Sequence, residues 1–329
     1  MTEAELREQI ERYSRFPPRG KLNVVTDTTQ FMSIKADDVL ELDGSFYLVT
    51  GEEVEGRFGL DGEPKFWVKR AVDLADGAVK IIKLVFHESF MMQLGVQQIR
   101  CFRSPGKEAR ILEKTKGHPF FMQGFTVPDK VGNPVRVIDR IYGVRHYDYI
   151  HNLTMDHLTY FHQLFPLLFQ NLLSCFRAIQ ELHRMDELHG DIRNDHIIIE
   201  RESGIYRWID FDYTYEWSEN TFGVDLFGLG NVLLLTLGKG FHNLPDIAAC
   251  GPPGMKVISC LEPADLSLFF RNRISNLQKL FPYIPDRLNQ VMLHFSQGAE
   301  VFYEKTEELL EDLEACVAEL PPVNRQRCS

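Results

Sequence analysis

The chain of 329 residues is poor in the features that would place it outside the ordinary class of globular proteins. It has six cysteines, at 101, 175, 250, 260, 316 and 328, with no Cys-x-x-Cys pair and no His-rich spacing. That excludes a zinc site of the usual spacing and offers no disulfide framework, so reduced thiols are expected. Long hydrophobic runs are missing too. The greasy stretches are too short or too interrupted to cross a bilayer, and the opening Met-Thr-Glu-Ala-Glu-Leu-Arg-Glu has no apolar signal core. A cytoplasmic location without a membrane partner is expected. Positive charge is in deficit, with 36 Lys and Arg against 47 Asp and Glu and a net charge of −11. This argues against nucleic acid as a general partner. No internal repeat or low-complexity tract appears.

What is present is 44% hydrophobic and 25% charged residues, enough to bury a large core, over a length that suggests two domains or lobes. Residues 1–15 read as a short charged helix ended by Phe16-Pro17-Pro18, and residues 1–40 as an extension. From about 38 to 100 the pattern is strand-like: Ser45–Val49, Lys65–Lys69 and Val79–Phe86, separated by Gly- and Asp-containing turns. A helix is expected from Ser104, a plausible N-cap followed by Pro105, to Gly117 as terminator. After residue 150 helical periodicity dominates, near 154–186, 225–238, 262–280, 285–297 and 302–319.

The most informative stretch runs from Leu188 to Asp212. Leu-His-Gly-Asp-Ile-Arg-Asn-Asp-His leads into Ile197–Ile199, and Trp208-Ile209-Asp210-Phe211-Asp212 follows after a polar turn. Asp191 and Asp210 therefore stand 19 residues apart, each beside a short apolar run of strand character, so that two rigid strands would present two carboxylates. Phosphoryl transfer needs such a pair: one carboxylate to orient a hydroxyl and accept its proton, another to hold the metal that bridges nucleotide phosphates.

This stretch resembles the protein-kinase family. His189-Gly190-Asp191-Ile192-Arg193-Asn194-Asp195-His196 is similar to the catalytic loop, and Asp210-Phe211-Asp212 to the Asp-Phe-Gly metal motif. The Gly after His, and Asp212 in place of Gly, are shared with aminoglycoside-kinase-like relatives. The resemblance spans about 40–315, and Ile284–Leu288 and Glu307–Leu313 look like the last helices of bacterial serine/threonine kinases. It implies an α+β fold with two lobes: an extension at 1–40, a β-rich N-lobe with hinge at 41–143, a mostly α-helical C-lobe at 144–320 and a tail at 321–329.

The resemblance also implies roles. Asp191 would be the catalytic base and Asp210 the metal ligand. Lys83, in Gly77–Lys83, would hold the phosphates, with Lys80 on the opposite strand face as its rival. Glu108 would pair with Lys83, although a Glu there also suits the dipole of the helix's first turn. Arg193, at the position of the loop Lys, would offset transition-state charge. Gly56 and Gly59, in Val54–Gly59, match a phosphate-covering loop whose first Gly is replaced by Val54; a plain hairpin turn is the alternative. Asp139 and Ile141 fall on the hinge strand whose backbone would meet adenine. Asp225 would brace the catalytic-loop backbone or cap the helix that follows it. The expected cofactors are ATP and Mg2+ or Mn2+.

Three departures stand out. Only 15 residues separate Asp210 from Asp225, with no Ala-Pro-Glu motif, so the usual peptide platform does not fit. Phe302 stands where the family has the Arg that pairs with that Glu. His196 replaces the Asn of the second metal site, a poorer magnesium ligand, so that Asp195 or Asp212 could supply oxygen instead. The reading is thus a kinase-like phosphotransferase acting on a hydroxyl, with a protein Ser/Thr acceptor first. A pseudokinase scaffold and a small-molecule kinase are the alternatives.

Overall fold

The computed structural model describes residues 2–18, 20–57, 60–94, 97–217 and 219–322. The fold is α+β, with a β-rich first unit and a mostly helical second one. The first unit comprises residues 1–88 and 103–142, the second 89–102 and 143–329.

The first unit opens with α1 (Glu3–Tyr13). Thr2 and Glu5 form a capping box at its start, and Leu6 and Ile10 are buried against Leu22, Val39, Leu48 and Leu74. The segment read as an extension is therefore built into the core of this unit. Its sheet consists of β1 (Val24–Val25), β2 (Val39–Leu42), β3 (Ser45–Arg57), β4 (Leu60–Asp73) and β5 (Val79–Lys83). After the hairpin β6 (Ser89–Leu94) and β7 (Gln97–Arg103), which lies mostly in the second unit, come β8 (Gly124–Pro128) and β9 (Pro134–Asp139). The order across the sheet is β1-β2-β3-β4-β5-β9-β8. Alternation along the strands sends Leu40, Leu42, Val49, Ala71, Ile82, Val135 and Val137 into one apolar cluster. Between β7 and β8 lies α2 (Pro105–Lys114). Ser104 caps it by accepting the Lys107 N–H, Pro105 begins it, and Glu108, Ile111 and Leu112 are buried.

In the second unit β10 (Gly143–Arg145) precedes α3 (His146–His151), α4 (His157–Gln163) and α5 (Phe165–Arg184). Where the periodicity suggested one helix over 154–186 there are two, broken at Leu164 ahead of Pro166. Two short strands, β11 (Ile197–Glu200) and β12 (Tyr206–Trp208), form a sheet with β10, and β13 (Tyr213–Glu216) joins β7 and β6 in another. Then α6 (Gly223–Gly238) runs through the core, apolar on nearly every side. After α7 (Leu244–Ala248) and α8 (Pro252–Ile258), the chain ends its described part with α9 (Asp286–Leu293) and α10 (Thr306–Cys316).

The helix expected over 262–280 does not form. Asp265 instead accepts the N–H groups of Ser275 and Asn276 on its carbonyl, Leu266 bridges Ile274, and the Arg273 guanidinium lies between the rings of Phe241 and Phe270 at 3.5 and 3.9 Å. Those long-range bonds override a periodicity that local propensity alone made helical.

Candidate active site

In the first unit, β5 is flanked by β4 and β9, with Lys83 opposite Val68 on one side and Arg136 on the other. The Lys83 Nζ donates to Glu108 Oε1 at 2.6 Å, with both side chains almost fully buried. The second carboxylate oxygen of Glu108 accepts from Arg136 Nε at 3.1 Å. Arg136 is wholly buried and is fixed further by Nη1 to the Pro134 carbonyl and Nη2 to the Leu84 carbonyl. Lys80, three residues before Lys83, lies on the other face and bonds Asp139 at 2.6 Å. Of the two lysines, Glu108 meets Lys83.

Asp139 thus has its side chain on Lys80, and its N–H donates to the Gln123 carbonyl at 2.8 Å. Ile141 lies in the link between β9 and β10. Val54 is exposed and Gly56 lies in β3, in a β3–β4 hairpin with several register shifts, while Gly59 lies outside the described residues.

In the second unit, β11 and β12 pair antiparallel with Ile197 opposite Trp208. Trp208 is fully buried and its Nε1 donates to the Cys175 carbonyl of α5, which anchors the two strands. At their ends stand Asp191, Asp210 and His196. His196 closes a 3₁₀ turn Asn194–His196, and its Nδ1 lies 2.8 Å from the Asp191 carbonyl oxygen. A carbonyl only accepts, so Nδ1 carries the proton and Nε2 is the other face of the ring. That Nε2 lies 3.7 Å from Asp210 Oδ2, and Nδ1 lies 3.5 Å from Asp191 Oδ2. His196 therefore stands between the two carboxylates. Asp210 adopts a left-handed backbone, φ 61°, which re-aims the chain as it leaves β12.

The loop backbone is braced from beneath. Asp225, buried in the first turn of α6, accepts the N–H of His189 at 2.6 Å and of Gly190 at 2.8 Å on its two oxygens. His183 Nε2, 3.0 Å away, completes its surroundings and links on through Nδ1 to Thr306. Of the two roles open to Asp225, it is the brace that its carboxylate takes. Gly190, at φ 83°, makes the bend that lets both amides face Asp225. Gly228 sits against the same loop, since a Cβ there would meet Ile192 Cβ at 2.6 Å. His189 is buried edge-on to Trp208 and Phe211.

Charge follows from this crowding. Burial pushes the Asp191 carboxyl above the ordinary Asp value; His196 and Arg193 work against the shift, and Asp210 and Asp212 add to it. Arg193 grips Asp195 with two bonds, Nε at 3.0 Å and Nη2 at 2.6 Å. Burial opposes the ionisation of Asp195, but His196 and Arg193 hold its carboxyl below the ordinary range. Asp212 is fully buried. Among the described residues no three His, Cys, Asp or Glu side chains converge as a ready-made metal cage. Magnesium commonly takes only one or two carboxylates and completes its shell with phosphate oxygens and water. Asp210, whose side chain keeps some contact with solvent, and the buried Asp212 are carboxylates of the kind such a site uses.

No protein-family model and no curated protein matches the chain. Among solved structures the chain is similar to one titled as Rad53 1–466 in complex with AMP-PNP, at 14% identity and a TM-score of 0.47. The match covers 81% of this chain and 64% of that one. Among the described residues no helix is long and apolar enough to cross a membrane.

Two features of the site were not legible beforehand. Arg136 in Val135-Arg136-Val137-Ile138 is a charge inside an apolar strand and has to find a buried partner, but no local pattern says which one. The pairing of β7 with β13 also carried no local signal.

Proposed function

We propose that the chain is a protein-kinase-like phosphotransferase that moves the γ-phosphate of ATP to a hydroxyl acceptor. The observation that carries this reading is the loop of Asp191, His196 and Asp210, with its backbone held by Asp225. The Asp191 carboxylate accepts the proton of the attacking hydroxyl, and its raised affinity for protons suits a base. Lys83, oriented by Glu108, binds the phosphates. Arg193, held by Asp195, supplies positive potential beside Asp191. Magnesium, when bound, neutralises phosphate charge, and Asp210 with Asp212 would hold it. Asp139 and Ile141 would contribute backbone to the adenine edge, and Gly56 and Gly59 to covering the phosphates.

The first acceptor to test is a protein Ser or Thr. One observation favours a small hydroxyl compound as the second reading: within the 15-position step from Asp210 to Asp225, Tyr213–Glu216 is already committed to pairing with β7. The experiment is γ-phosphate transfer from labelled ATP to generic protein substrates and to hydroxyl metabolites, in the wild type and Asp191→Asn. Loss of transfer by roughly 10² to 10⁴ with nucleotide binding retained supports the assignment. Equal turnover in both proteins contradicts it, and binding without any transfer in the wild type points to a pseudokinase scaffold.

A further inference from the structure

The Lys83–Glu108 pair has a third member that the proposed reading does not require. Glu108 offers one oxygen to each of two cations, and the two cations are held very differently. The Lys83 ammonium sits at the end of a flexible four-carbon stem. The Arg136 guanidinium is planar and is tied to backbone at both ends, through Nη1 to Pro134 and Nη2 to Leu84, so its Nε is a fixed point on the sheet. Cross-strand register places Lys83 and Arg136 directly opposite each other on β5 and β9, hence on the same face, the face on which α2 lies. Both side chains and that of Glu108 are almost wholly removed from water. Taking Glu108 away from Arg136 would leave a buried guanidinium without its counter-ion.

We propose that Arg136 is the residue that positions Glu108, and with it α2, so that Glu108 stays fixed and orients the Lys83 ammonium towards an anionic ligand without movement of the helix. The ligand class is a polyphosphate, and in this respect the inference rests on the reading above. Arg136 is a positioning residue: it acts through Glu108 and touches no substrate. It also gives the site a built-in order, since α2 is held by a residue that does not take part in binding.

The test compares the full chain in four forms: wild type, Lys83→Met, Arg136→Met and Arg136→Lys. Amide hydrogen exchange is read over Pro105–Lys114, and the Kd for magnesium-ATP is measured separately from thermal stability. Lys83→Met should leave α2 as protected as in the wild type. Arg136→Met should speed α2 exchange and weaken ATP binding about tenfold with Lys83 intact, and Arg136→Lys, which keeps the charge but not the backbone-tied fork, should recover only part of both. Equal loss of protection in Lys83→Met and Arg136→Met overturns the proposal. So does an ATP Kd unmoved by Arg136→Met, the result of a merely structural arginine. If Arg136→Met does not fold, the remaining pair decides: protection kept in Lys83→Met but reduced in Arg136→Lys supports the clamp, and the reverse overturns it. A wild type that binds no ATP contradicts the nucleotide reading, while the exchange comparison still decides what holds α2.

Discussion

Asp225 shows how one side chain can set the geometry of residues that are proposed to do the chemistry. Its two oxygens take the His189 and Gly190 amides, so Asp225→Asn puts an amide donor where one backbone donor needs an acceptor. The expected cost is about 2 kcal/mol of stability, read by urea unfolding, with a larger proportional loss of turnover because the loop carrying Asp191 is released. Asp191 itself makes a pH prediction. Its pKa is raised in the folded protein, by burial first, so the stability linked to its protonated form is complete below the ordinary carboxylate range and is lost as pH rises through the raised value. On the proposed reading turnover needs the ionised form and should rise over that same interval, above the pH of an ordinary Asp. A pH–rate profile and the pH dependence of unfolding check this, and Asp191→Asn should remove the stability loss. At this scale the sequence was most readable where residue types are few and spaced by chemistry, as at Asp191 and Asp210. It was unreadable at Arg136, whose role depends on a cross-strand register that no local pattern specifies.

Between elements, close approach is the limiting quantity. Gly228→Ala would raise helix propensity in α6 by about 1 kcal/mol, but the added carbon meets Ile192 Cβ at 2.6 Å and its carbonyl oxygen at 2.8 Å. Overpacking should win, with a net loss of roughly 1–2 kcal/mol by thermal or chemical unfolding and a displaced loop at Ile192. The turn between β8 and β9 gives a second prediction. Burial opposes the ionisation of Asp129, but the Thr28 N–H and hydroxyl and the Asn133 N–H and side chain outweigh it and hold the carboxyl down at about 2. A depressed carboxylate contributes stability that is present above the ordinary Asp value and lost as pH falls towards 2, here on the order of 2 kcal/mol. Asp129→Asn should remove that part of the acid dependence. α2, with its Ser104 cap and Pro105, and α6, with its continuous apolar run, were legible. The segment 262–280 was not, because Asp265 closes on Ser275 and Asn276, Leu266 pairs with Ile274 and Arg273 stacks on Phe241, none of which an apolar count registers.

Across the whole molecule the chain divides into a sheet unit holding Lys83, Glu108 and Arg136, and a helical unit holding Asp191, His196, Asp210 and Asp212. The α+β class followed from the change of period near residue 150. The division itself was harder to foresee, because residues 89–102 leave the sheet unit's stretch of sequence to pair with β13. The proposed phosphotransferase reading draws on residues of each unit, and that reading is the central claim. It is tested most directly by the thermal unfolding shift with ATP, with and without magnesium, in the wild type and Asp210→Asn. Ligand at a hundred times its Kd stabilises by about 2.7 kcal/mol, a shift of several degrees. The account predicts a magnesium-dependent shift in the wild type that Asp210→Asn loses; no shift at millimolar ATP, or an equal shift in both proteins, would contradict it.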